Sequence, residues 1–588
     1  MIGLAHSYCC ATRYMESDDM DSSDILSLCK RRGFLFPSYE IYGGVAGMYD
    51  YGPLGSTLKN NIMEVWRRLY TLGEGFIEID SETVGPEIVF KASGHVDEFA
   101  DKMVKCTACD EAFRADHLVK GLHPNPDTLD EAALDKLIKE NNVVCPTCKG
   151  VLSSVEEFNL MFKTTIGPGS GRTGYLRPET AQGIFVNFPN LYRYNREKLP
   201  LGVIQTGRGY RNEISPRQGI IRLREFNMME CELFVDPEDK TWPRFEDIKD
   251  EILTLHAADG RDLKISVEDA VNQKIICNEV LAYFVWLTQA FLTSVGIDRE
   301  KLRFRQHEHD EMAHYASDCW DAEVMLSYGW TEIVGIADRG CWDLSRHAQF
   351  SSSDMTAFKR FETPKEIDKD VIKPKYGALG PKFKNQAKAI GAAMEETDPS
   401  SIKDGIVSVT VDGESYSLGT EFYDIGRMKV TVTGERVTPH VIEPSHGLDR
   451  IIYSVLEHSY YMRDKEDQTV LKLPSAVAPI KVGVFPLMPK EDLEKVAKQI
   501  DMDIRYSGIE SYYDSTGSIG KRYARMDEVG TPWCITVDYQ TLEDGTVTLR
   551  ERDSTEQIRI EYMGAAEIIN AVLCGADFKK FEVILDKN

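Results

Sequence analysis

The stretch of the chain with the most chemical potential is residues 207–230, GRGYRNEISPRQGIIRLREFNMME. Two strand-like runs flank a turn at Ser215-Pro216 and Gly219, which predicts a hairpin. Side chains two residues apart in a strand share a face, so one face of the returning run carries Arg222, Arg224, Phe226, Met228 and Glu230. On the outgoing run, Arg211 and Glu213 share a face. These groups suit a polyphosphate, a flat heterocycle and a cationic amine bound side by side.

The alternative for this hairpin is a solvated sheet face with surface ion pairs. That explanation is the usual one for a single Arg/Glu pair. A whole face of arginines and carboxylates around an aromatic ring favours a ligand site, because charged side chains are rarely buried unless they are paired or functional.

The hairpin also resembles a known motif. Tyr210-Arg211-Asn212-Glu213, followed by Arg222-Leu223-Arg224-Glu225-Phe226, is similar to motif 2 of class II aminoacyl-tRNA synthetases. The segments that narrow the resemblance to the homodimeric glycyl-tRNA synthetases are RRGF at 31–34, GMYDYGPLG at 47–55, RPETAQG at 177–183 and EPS at 443–445. The resemblance runs from about residue 27 to the C-terminus. It implies an α+β core, an antiparallel sheet flanked by helices, followed by a C-terminal α/β anticodon-binding domain.

The resemblance implies a nucleotide site whose residues come from several segments. Arg211 would contact the α-phosphate of ATP and the glycine carboxylate, Glu213 the adenine amino group, and Phe226 the adenine ring. Arg450, in Gly447-Leu448-Asp449-Arg450, corresponds to the motif 3 arginine, so Arg211 and Arg450 are the predicted catalytic residues. Glu332 is a candidate Mg²⁺ ligand. The full predicted ATP set is Arg211, Asn212, Glu213, Ile221, Arg222, Phe226, Glu332, Ile333, Gly447 and Arg450.

Glycine has no side chain to grip, so its recognition must fix the ammonium group and reject anything larger. Three glutamates match the family's carboxylates around that ammonium, with a serine beside them, and an arginine resembles a further substrate contact. The predicted glycine set is Glu179, Glu230, Glu443, Ser445 and Arg114. For any one of these glutamates taken alone, a surface or salt-bridged carboxylate is the simpler interpretation.

Two cysteine hooks, Cys106-x-x-Cys109 and Cys145-x-x-Cys148, form a candidate metal site. Four thiolates from two such hooks can surround a zinc ion tetrahedrally, which leaves no open position for catalysis. We therefore expect a structural Zn²⁺ and not a catalytic one. The alternative is four unligated thiols.

Composition describes an ordinary globular protein. The chain has 588 residues, 42% hydrophobic and 28% charged, and we find no apolar run long enough to span a bilayer. Its 13 cysteines do not suggest a secreted disulfide framework, so a cytoplasmic location is expected. The net charge of −26 argues against non-specific nucleic-acid binding, although a local basic surface can still bind tRNA.

The chain is too long for one core, and several domains are expected. An acidic, disordered leader is predicted at 1–26 and the catalytic core at 27–474. Within the core we expect a zinc-hook insertion at 100–150, a mainly helical insertion at 236–310 and a second insertion at 360–435. An anticodon-binding domain is predicted at 475–588, where Lys521, Arg522 and Arg525 are expected to face phosphates unless they form a solvated helix face.

The helix, strand and proline order from residue 56 to residue 87 resembles motif 1, which in the family forms much of the dimer interface. The implied function is formation of glycyl-adenylate from glycine and ATP, then transfer of glycine to the 3′ end of tRNA(Gly). The rivals are a class II enzyme for another amino acid and a non-catalytic paralogue that binds nucleic acid. Loss of ATP-site residues would favour the paralogue, but Arg211, Glu213, Phe226 and Arg450 are all present.

Overall fold

The computed structural model describes residues 22–169, 171–216, 219–308, 317–463 and 468–583. The chain divides into two compact units, one of residues 1–355 with 438–588 and the other of residues 356–437. Within the described ranges, no helix combines the length and the apolar character needed to cross a membrane.

The α-helices of the described residues are, in chain order, α1 Ser22–Arg32, α2 Pro53–Arg68, α3 Glu87–Ala92, α4 His95–Glu98, α5 Ala115–Leu118, α6 Glu131–Glu140, α7 Ala181–Tyr194, α8 Val267–Asn272, α9 Glu279–Ser294, α10 Trp342–Ser351, α11 Tyr376–Phe383, α12 Ala387–Glu396, α13 Leu448–Ser459, α14 Glu491–Tyr506, α15 Ile519–Glu528, α16 Tyr539–Asp544 and α17 Ala565–Leu573.

The strands are β1 Leu35–Pro37, β2 Tyr49–Tyr51, β3 Ile77–Glu78, β4 Val84–Pro86, β5 Ala100–Lys105, β6 Ala112–Arg114, β7 Glu156–Asn159, β8 Lys163–Ile166, β9 Arg172–Leu176, β10 Leu201–Tyr210, β11 Glu225–Val235, β12 Ile252–His256, β13 Asp262–Ser266, β14 Leu302–Gln306, β15 Asp318–Leu326, β16 Gly329–Gly340, β17 Ala357–Pro374, β18 Val407–Val411, β19 Glu414–Leu418, β20 Tyr423–Val437, β21 His440–Gly447, β22 Tyr460–Arg463, β23 Gln468–Leu471, β24 Val482–Pro486, β25 Ser511–Tyr513, β26 Trp533–Val537, β27 Thr546–Glu551 and β28 Gln557–Glu561.

A nine-stranded sheet in the order β13-β12-β14-β15-β16-β21-β11-β10-β3 organises the first unit. Its strands are antiparallel except for the pairs β10/β3 and β12/β14. Helices α2, α9 and α13 contribute large apolar side chains such as Trp66, Phe284 and Ile451 to one core with this sheet. The predicted antiparallel core flanked by helices is therefore confirmed.

The start of the chain corrects one boundary. Residues 1–21 of the predicted acidic leader lie outside the described residues. Residues 22–26 are not leader-like, because they form the beginning of α1, where Ile25 is fully buried. Serines and Asp24 suit the first turn of a helix, so a polar composition alone misplaced this boundary.

The segment at 236–310 contains helices, as expected, but it is not separate from the central sheet. It contributes three strands of the central sheet, β12, β13 and β14, as well as α8 and the buried helix α9. The strand pattern was missed because the short runs at 252–256 and 302–306 alternate over only five residues each.

Residues 356–437 form a unit with a core of their own. The long strands β17 and β20 pair as an antiparallel ribbon, and α11 and α12 pack with β18 and β19 around Leu379, Ile390 and Met394. This unit encloses the insertion expected at 360–435.

The C-terminal part has the predicted α/β form. A five-stranded sheet in the order β25-β24-β26-β27-β28 packs with α14 and α17 around a separate core. Of Arg522 and Arg525, which we expected at phosphates or on a solvated helix face, Arg522 is buried and Arg525 is partly exposed but paired. Arg522 is 1% exposed and donates to the carbonyls of Pro486, Asp514 and Gly517, while Arg525 pairs with Asp514. The buried Arg522 thus holds the backbone at 514–517 in place. Of Lys521, Arg522 and Arg525, only Lys521 is fully exposed.

Candidate active site

A cleft on one face of the central sheet gathers most of the predicted residues. It lies over β11, β21 and β16 and is flanked by the connection between β10 and β11. The predicted residues that line it are Glu179, Arg211, Glu213, Ile221, Arg222, Phe226, Glu230, Glu332, Ile333, Glu443, Ser445, Gly447 and Arg450. These residues are separated by up to 271 positions in sequence, and the sheet register brings them to one place.

The hairpin differs from its prediction in one respect. Strand β10 ends at Tyr210 and β11 begins at Glu225, so Arg222 and Arg224 lie in the connecting loop and not on the strand face. Arg222 still lines the cleft, whereas the guanidinium of Arg224 is used to brace the loop, donating to the carbonyls of Glu213 and Ala46.

The guanidinium of Arg211 is held by aromatic rings. Its central carbon lies 5.3 Å from the ring centroid of Phe226 and 5.3 Å from that of Phe99, and its Nε is 3.4 Å from the carbonyl oxygen of Pro178. Cation–π contacts of this kind orient the group without neutralising it. No carboxylate of the described residues pairs with Arg211, so its charge is available to an anion in the cleft.

Another wall of the cleft carries Arg450, an arginine that backbone carbonyl groups hold in place. Arg450, in the first turn of α13, donates to the carbonyls of Ile221 and Glu332 at 3.1 and 2.9 Å. Its Nη1 also lies 3.2 Å from the Glu332 carboxylate, so the candidate Mg²⁺ ligand is paired with this arginine. Glu213 is similarly close to Arg222, with 3.6 Å between Oε2 and Nε.

Glu230 lies at the other end of the cleft and is saturated with hydrogen bonds. Its Oε2 accepts from the backbone N–H groups of Thr180 and Ala181, at 2.6 and 2.9 Å, and from the Thr180 hydroxyl. Its Oε1 accepts from the Ser445 hydroxyl at 2.8 Å. Burial raises the pKa of Glu230, with Glu179 adding to the rise. This carboxylate therefore fixes the start of α7 as well as facing the cleft.

The pKa of Glu179 is shifted in the opposite direction to that of Glu230. Burial works to raise its pKa, but the nearby His95 and Arg339 and a hydrogen bond from Gln182 together hold it well below its usual range. The His95 Nε2 is 3.5 Å from its Oε2, and Gln182 donates to its Oε1 at 2.9 Å. Glu179 is therefore the ionised member of the cluster.

Glu443 completes the carboxylate cluster. Arg339 Nη1 donates to its Oε2 at 2.6 Å, and the same guanidinium pairs with Asp343 at 2.9 Å. Burial raises the pKa of Glu443 to about 8; Arg339 opposes the rise, and Glu179 and Glu230 add to it. Arg339 thus lies against Glu443, and His95 against Glu179, while burial and the neighbouring carboxylates raise the pKa of both Glu230 and Glu443. A bound cation would favour the ionised form of these carboxyls.

Two predicted contacts are not brought to the cleft. The guanidinium of Arg114 is engaged within the insertion by Asp101 and Asp116, at 3.1 and 2.7 Å, and does not line the cleft. Asn212 lies beside Arg211 but is not among the lining residues, and its backbone N–H donates to the carbonyl of Leu160.

Sequence reasoning missed several residues that hold the site. Arg339 balances Glu443, Thr180 donates to Glu230, and Asp449 accepts from the backbone and side chain of Asn227 at 2.5 and 2.9 Å. A buried glutamate pair implies a counter-cation, but nothing in the spacing of residues indicates which arginine supplies it.

The four cysteines of the two hooks meet in the insertion. The Sγ atoms of Cys106 and Cys148 are 3.4 Å apart and those of Cys109 and Cys145 are 3.7 Å apart, with all four within 4.8 Å of one another. Sulfurs bound tetrahedrally to zinc at about 2.3 Å are separated by about 3.8 Å. A Cβ at Gly150 would lie 3.0 Å from the Cys106 Sγ, so only glycine leaves the sulfurs room there.

Comparison with known families agrees with this geometry. Residues 164–459 match the family described as tRNA synthetase class II core domain (G, H, P, S and T), and residues 476–572 match the family described as anticodon binding domain. The fold and the cleft thus define a class II aminoacyl-tRNA synthetase.

Proteins similar to this chain along most of its length indicate which class II synthetase family it belongs to. The glycine--tRNA ligase of Methanothrix thermoacetophila is 50% identical over 559 residues, covering 94% of this chain and 97% of that protein. The glycine--tRNA ligase of Methanocaldococcus jannaschii is 49% identical, covering 93% and 98%, and that of Methanothermobacter thermautotrophicus is 48% identical, covering 91% and 96%. The chain belongs to the glycine--tRNA ligase family.

Proposed function

We propose that the protein activates glycine with ATP to form glycyl-adenylate and then transfers the glycyl group to the 3′ end of tRNA(Gly). One observation carries the proposal. A single cleft combines a cationic nucleotide end, at Arg211, Arg450 and Phe226, with a buried carboxylate end, at Glu179, Glu230 and Glu443. The first end suits ATP, and the second suits an ammonium group.

In the activation step an oxygen of the glycine carboxylate attacks the α-phosphorus of ATP. The bond from that phosphorus to the bridging oxygen breaks, and pyrophosphate leaves with the electron pair. Negative charge gathers on the phosphoryl oxygens in the transition state, and Arg211 is positioned to stabilise it. No side chain acts as a nucleophile, so catalysis comes from orientation and from fixed charge.

Mg²⁺ would neutralise the phosphates of bound ATP. Glu332 is the proposed protein ligand, because its carboxylate is half-exposed at the nucleotide end beside Arg450. Carboxylate oxygens with substrate phosphates are the usual ligands of this cation. Arg450 itself would contact the γ-phosphate and the adenine.

Selectivity for glycine follows from the carboxylate end. The ammonium group would be held among Glu179, Glu230 and Glu443, with Ser445 fixing the orientation of Glu230. A larger amino acid would have to place its side chain against buried, hydrogen-bonded groups that leave little room to move. Rejection of an added group by steric overlap can be severe, unlike rejection of a missing methylene.

The whole reaction is tested by charging. Purified protein with ATP, Mg²⁺ and labelled glycine should esterify tRNA(Gly) transcripts to completion, and it should leave a tRNA for another amino acid uncharged. Failure to charge tRNA(Gly) under conditions where the protein is folded would contradict the proposal.

The pH dependence of glycine binding is a first prediction. Because the pKa of Glu443 is raised to about 8, its carboxyl must release a proton when it binds an ammonium group at lower pH. The KM for glycine should therefore fall as pH rises from about 6 to about 8, by up to about tenfold per pH unit, and level off above that range. Glycine-dependent ATP–pyrophosphate exchange measures this profile. A KM that is flat or rises over the same range would contradict the assignment of Glu443.

We further propose that Cys106, Cys109, Cys145 and Cys148 hold a structural zinc ion. A bound Zn²⁺ would supply cross-linking of the two hooks and no chemistry at the cleft. The backbone N–H of Ala108 donates to the Cys106 Sγ at 3.4 Å and that of Cys148 to the Cys145 Sγ at 3.5 Å, which favours thiolates. The donor set and spacing fit zinc and leave no fifth position.

Zinc content tests this site. Wild-type protein should contain about one zinc ion per chain by elemental analysis, and Cys148→Ser should lose most of it, because three sulfurs bind zinc far less tightly than four. Cys574→Ser is the matched control, since both cysteines are exposed. Equal zinc content in the two variants would rule out the site.

A homodimer is proposed from exposed apolar side chains on the elements that resemble motif 1 and their neighbours. Leu72 is 63% exposed, Ile88 52%, Val84 42% and Val186 41%. Exposed apolar groups on adjoining elements are typical of interfaces. Light scattering should give about twice the 66.5 kDa mass of the chain, and Ile88→Asp should shift the equilibrium towards monomer. A monomer at micromolar concentration would contradict this.

The C-terminal domain is proposed to bind the anticodon arm of tRNA(Gly), with Lys521 as a phosphate contact. We place the protein in the cytoplasm, where its tRNA substrate and a reducing environment for the thiolates are found.

A further inference from the structure

A row of paired residues extends from the glycine end of the cleft towards the far side of the sheet. The register pairs Glu230 with Ser445, Ser445 with Gly335 and Gly335 with Asp321. Residues directly opposite each other in neighbouring strands project to the same face. Asp321, on β15, therefore lies on the cleft face of the sheet, two strands beyond Ser445.

No side chain separates Ser445 from Asp321 within this row, because the residue between them is Gly335. Gly335 itself lines the cleft. An ideal Cβ built there would lie 4.0 Å from the Oδ1 of Asp321, which is ordinary van der Waals contact. Asp321 is not itself a lining residue of the cleft, but only the bare backbone of Gly335 lies between its Oδ1 and the Ser445 position.

Asp321 is held in place by two cationic neighbours. Its Oδ2 accepts from His307 Nε2 at 2.8 Å and from Arg305 Nη2 at 3.0 Å, and its side chain is 7% exposed. Hydrogen bonds with Asp321 and Cys319 raise the pKa of His307 to about 10, so the imidazole is charged at neutral pH. Two cations on one oxygen fix the carboxylate plane and leave Oδ1 on the Gly335 side.

The charges around Asp321 indicate what kind of ligand its free oxygen can bind. His307, Cys319 and Asp321 offer nitrogen, sulfur and oxygen atoms within 4.8 Å of one another, as a metal site would. Asp321 already has two cationic partners, however, and a divalent ion would have to displace the His307 proton and approach Arg305. A neutral hydrogen-bond donor neither displaces the His307 proton nor is repelled by Arg305, and a hydroxyl group is the simplest such donor.

We propose that Asp321 accepts a hydrogen bond from a hydroxyl of the terminal ribose of tRNA and so positions that ribose beside the glycyl carbonyl. The inference rests on the proposed function, in which a ribose hydroxyl is the second reactant. Carboxylates commonly bind ribose hydroxyls, and these hydroxyls distinguish RNA from other ligands. The proposed nucleotide contacts Phe226 and Arg450 lie at or beyond the Met228–Gly447 pair of the register, away from the Glu230–Ser445 pair, so the adenine does not compete for Asp321.

The step that Asp321 assists is the transfer. One ribose hydroxyl oxygen attacks the carbonyl carbon of glycyl-adenylate, the carbon–oxygen bond to the phosphate breaks, and AMP leaves with that oxygen. The hydroxyl proton passes to the leaving phosphate or to solvent. Asp321 does not accept this proton in the proposal; it holds the hydroxyl that does not react, which makes it a positioning residue.

Asp321→Asn tests the assignment through the ratio of two rates. Single-turnover transfer from preformed glycyl-adenylate to tRNA(Gly) should slow about tenfold or more relative to glycine-dependent ATP–pyrophosphate exchange, since a hydrogen bond to a charged group is lost. Exchange involves the ribose of ATP and transfer involves the ribose of tRNA, so the ratio separates the two sources. An unchanged ratio, with both rates lowered together or neither lowered, would overturn the proposal.

The ribose itself gives a sharper test. tRNA(Gly) ending in 2′-deoxyadenosine or 3′-deoxyadenosine lacks one hydroxyl, and the form that still accepts glycine has lost the non-reacting one. With wild-type protein, that form should react about tenfold more slowly than normal tRNA. With the Asp321→Asn variant, the deoxy form and normal tRNA should react at the same rate. Non-additivity of this kind identifies partners in one contact. Additive losses would place the hydroxyl elsewhere and contradict the proposal.

Two further variants guard against a general effect on folding. Gly335→Ala narrows the path without a steric clash, and it should lower the same ratio while the melting temperature stays close to that of the wild type. Asp262→Asn is the matched control, because Asp262 also pairs with a histidine of this sheet, His256, at 2.7 Å, but lies on β13 away from the cleft. It should not change the ratio. If wild-type protein shows no ATP–pyrophosphate exchange with glycine, the proposed function itself is contradicted. If exchange is normal but the ratio is unchanged in Asp321→Asn, only the role of Asp321 is contradicted.

Discussion

Arg211→Ala should lower glycine-dependent ATP–pyrophosphate exchange by about a hundredfold to a thousandfold. The guanidinium is fixed between two aromatic rings and, among the described residues, is not neutralised by a carboxylate. Its charge is therefore in place before the phosphoryl group becomes more negative, which is the condition for large electrostatic stabilisation. The loss should appear mainly in kcat, because the contact strengthens in the transition state.

Arg208→Ala is the matched control for this prediction. Arg208 belongs to the same hairpin, but it pairs with Glu225, is 57% exposed and does not line the cleft. Exchange in this variant should stay within about twofold of wild type. A loss in Arg211→Ala no larger than that in Arg208→Ala would show that Arg211 does not face the reacting phosphate.

Glu443→Gln should raise the KM for glycine by about a hundredfold and leave the KM for ATP nearly unchanged. The substitution keeps the shape of the side chain but removes a buried charge from the ammonium end of the cleft. Loss of one partner of a buried charged contact typically costs about 2–5 kcal/mol, which is more than tenfold in affinity. The variant should also lose the dependence of glycine KM on pH between about 6 and 8, since its amide does not titrate.

Glu225→Gln provides the comparison for Glu443→Gln. Glu225 begins β11, the strand that carries Glu230, but it pairs with Arg208 outside the cleft. Its substitution should change neither KM. If Glu443→Gln raised the KM for ATP as much as that for glycine, Glu443 would act on the whole cleft and the proposed division into two ends would be wrong.

Part of the cleft lining could be predicted from the sequence because its residues lie in short contiguous segments. Arg211 and Phe226 belong to one hairpin, and Gly447 and Arg450 begin one helix, so local pattern fixes their relation. The sequence could not predict that Arg224 would donate to the carbonyls of Glu213 and Ala46, since its alternating pattern placed Arg224 on a strand that begins only at Glu225.

The carboxylate end was predictable only in part. Glu179, Glu230 and Glu443 could be named by resemblance, but their charge balance depends on Arg339 and His95. These groups meet through sheet register, which is set by packing over the whole core and not by local spacing. The same reason explains why Asp321 received no assignment from the sequence: its relation to Ser445 exists only across Gly335.

Arg114 and Arg522 already have partners within the protein that the sequence did not indicate. Arg114 is engaged by Asp101 and Asp116 inside the insertion, and Arg522 is buried among backbone carbonyls. An arginine within a recognisable sequence motif can stabilise the fold as readily as it can bind a substrate. Exposure and existing partners, which require the structure, decide between these roles.

The most direct test of the central claim is ATP–pyrophosphate exchange measured with each of the twenty amino acids in turn, using zinc-replete protein and no tRNA. Glycine should support exchange, and alanine and serine, the next smallest, should support it at least about a thousandfold less efficiently in kcat/KM. Exchange supported equally well by another amino acid, or the absence of exchange with glycine, would contradict the account.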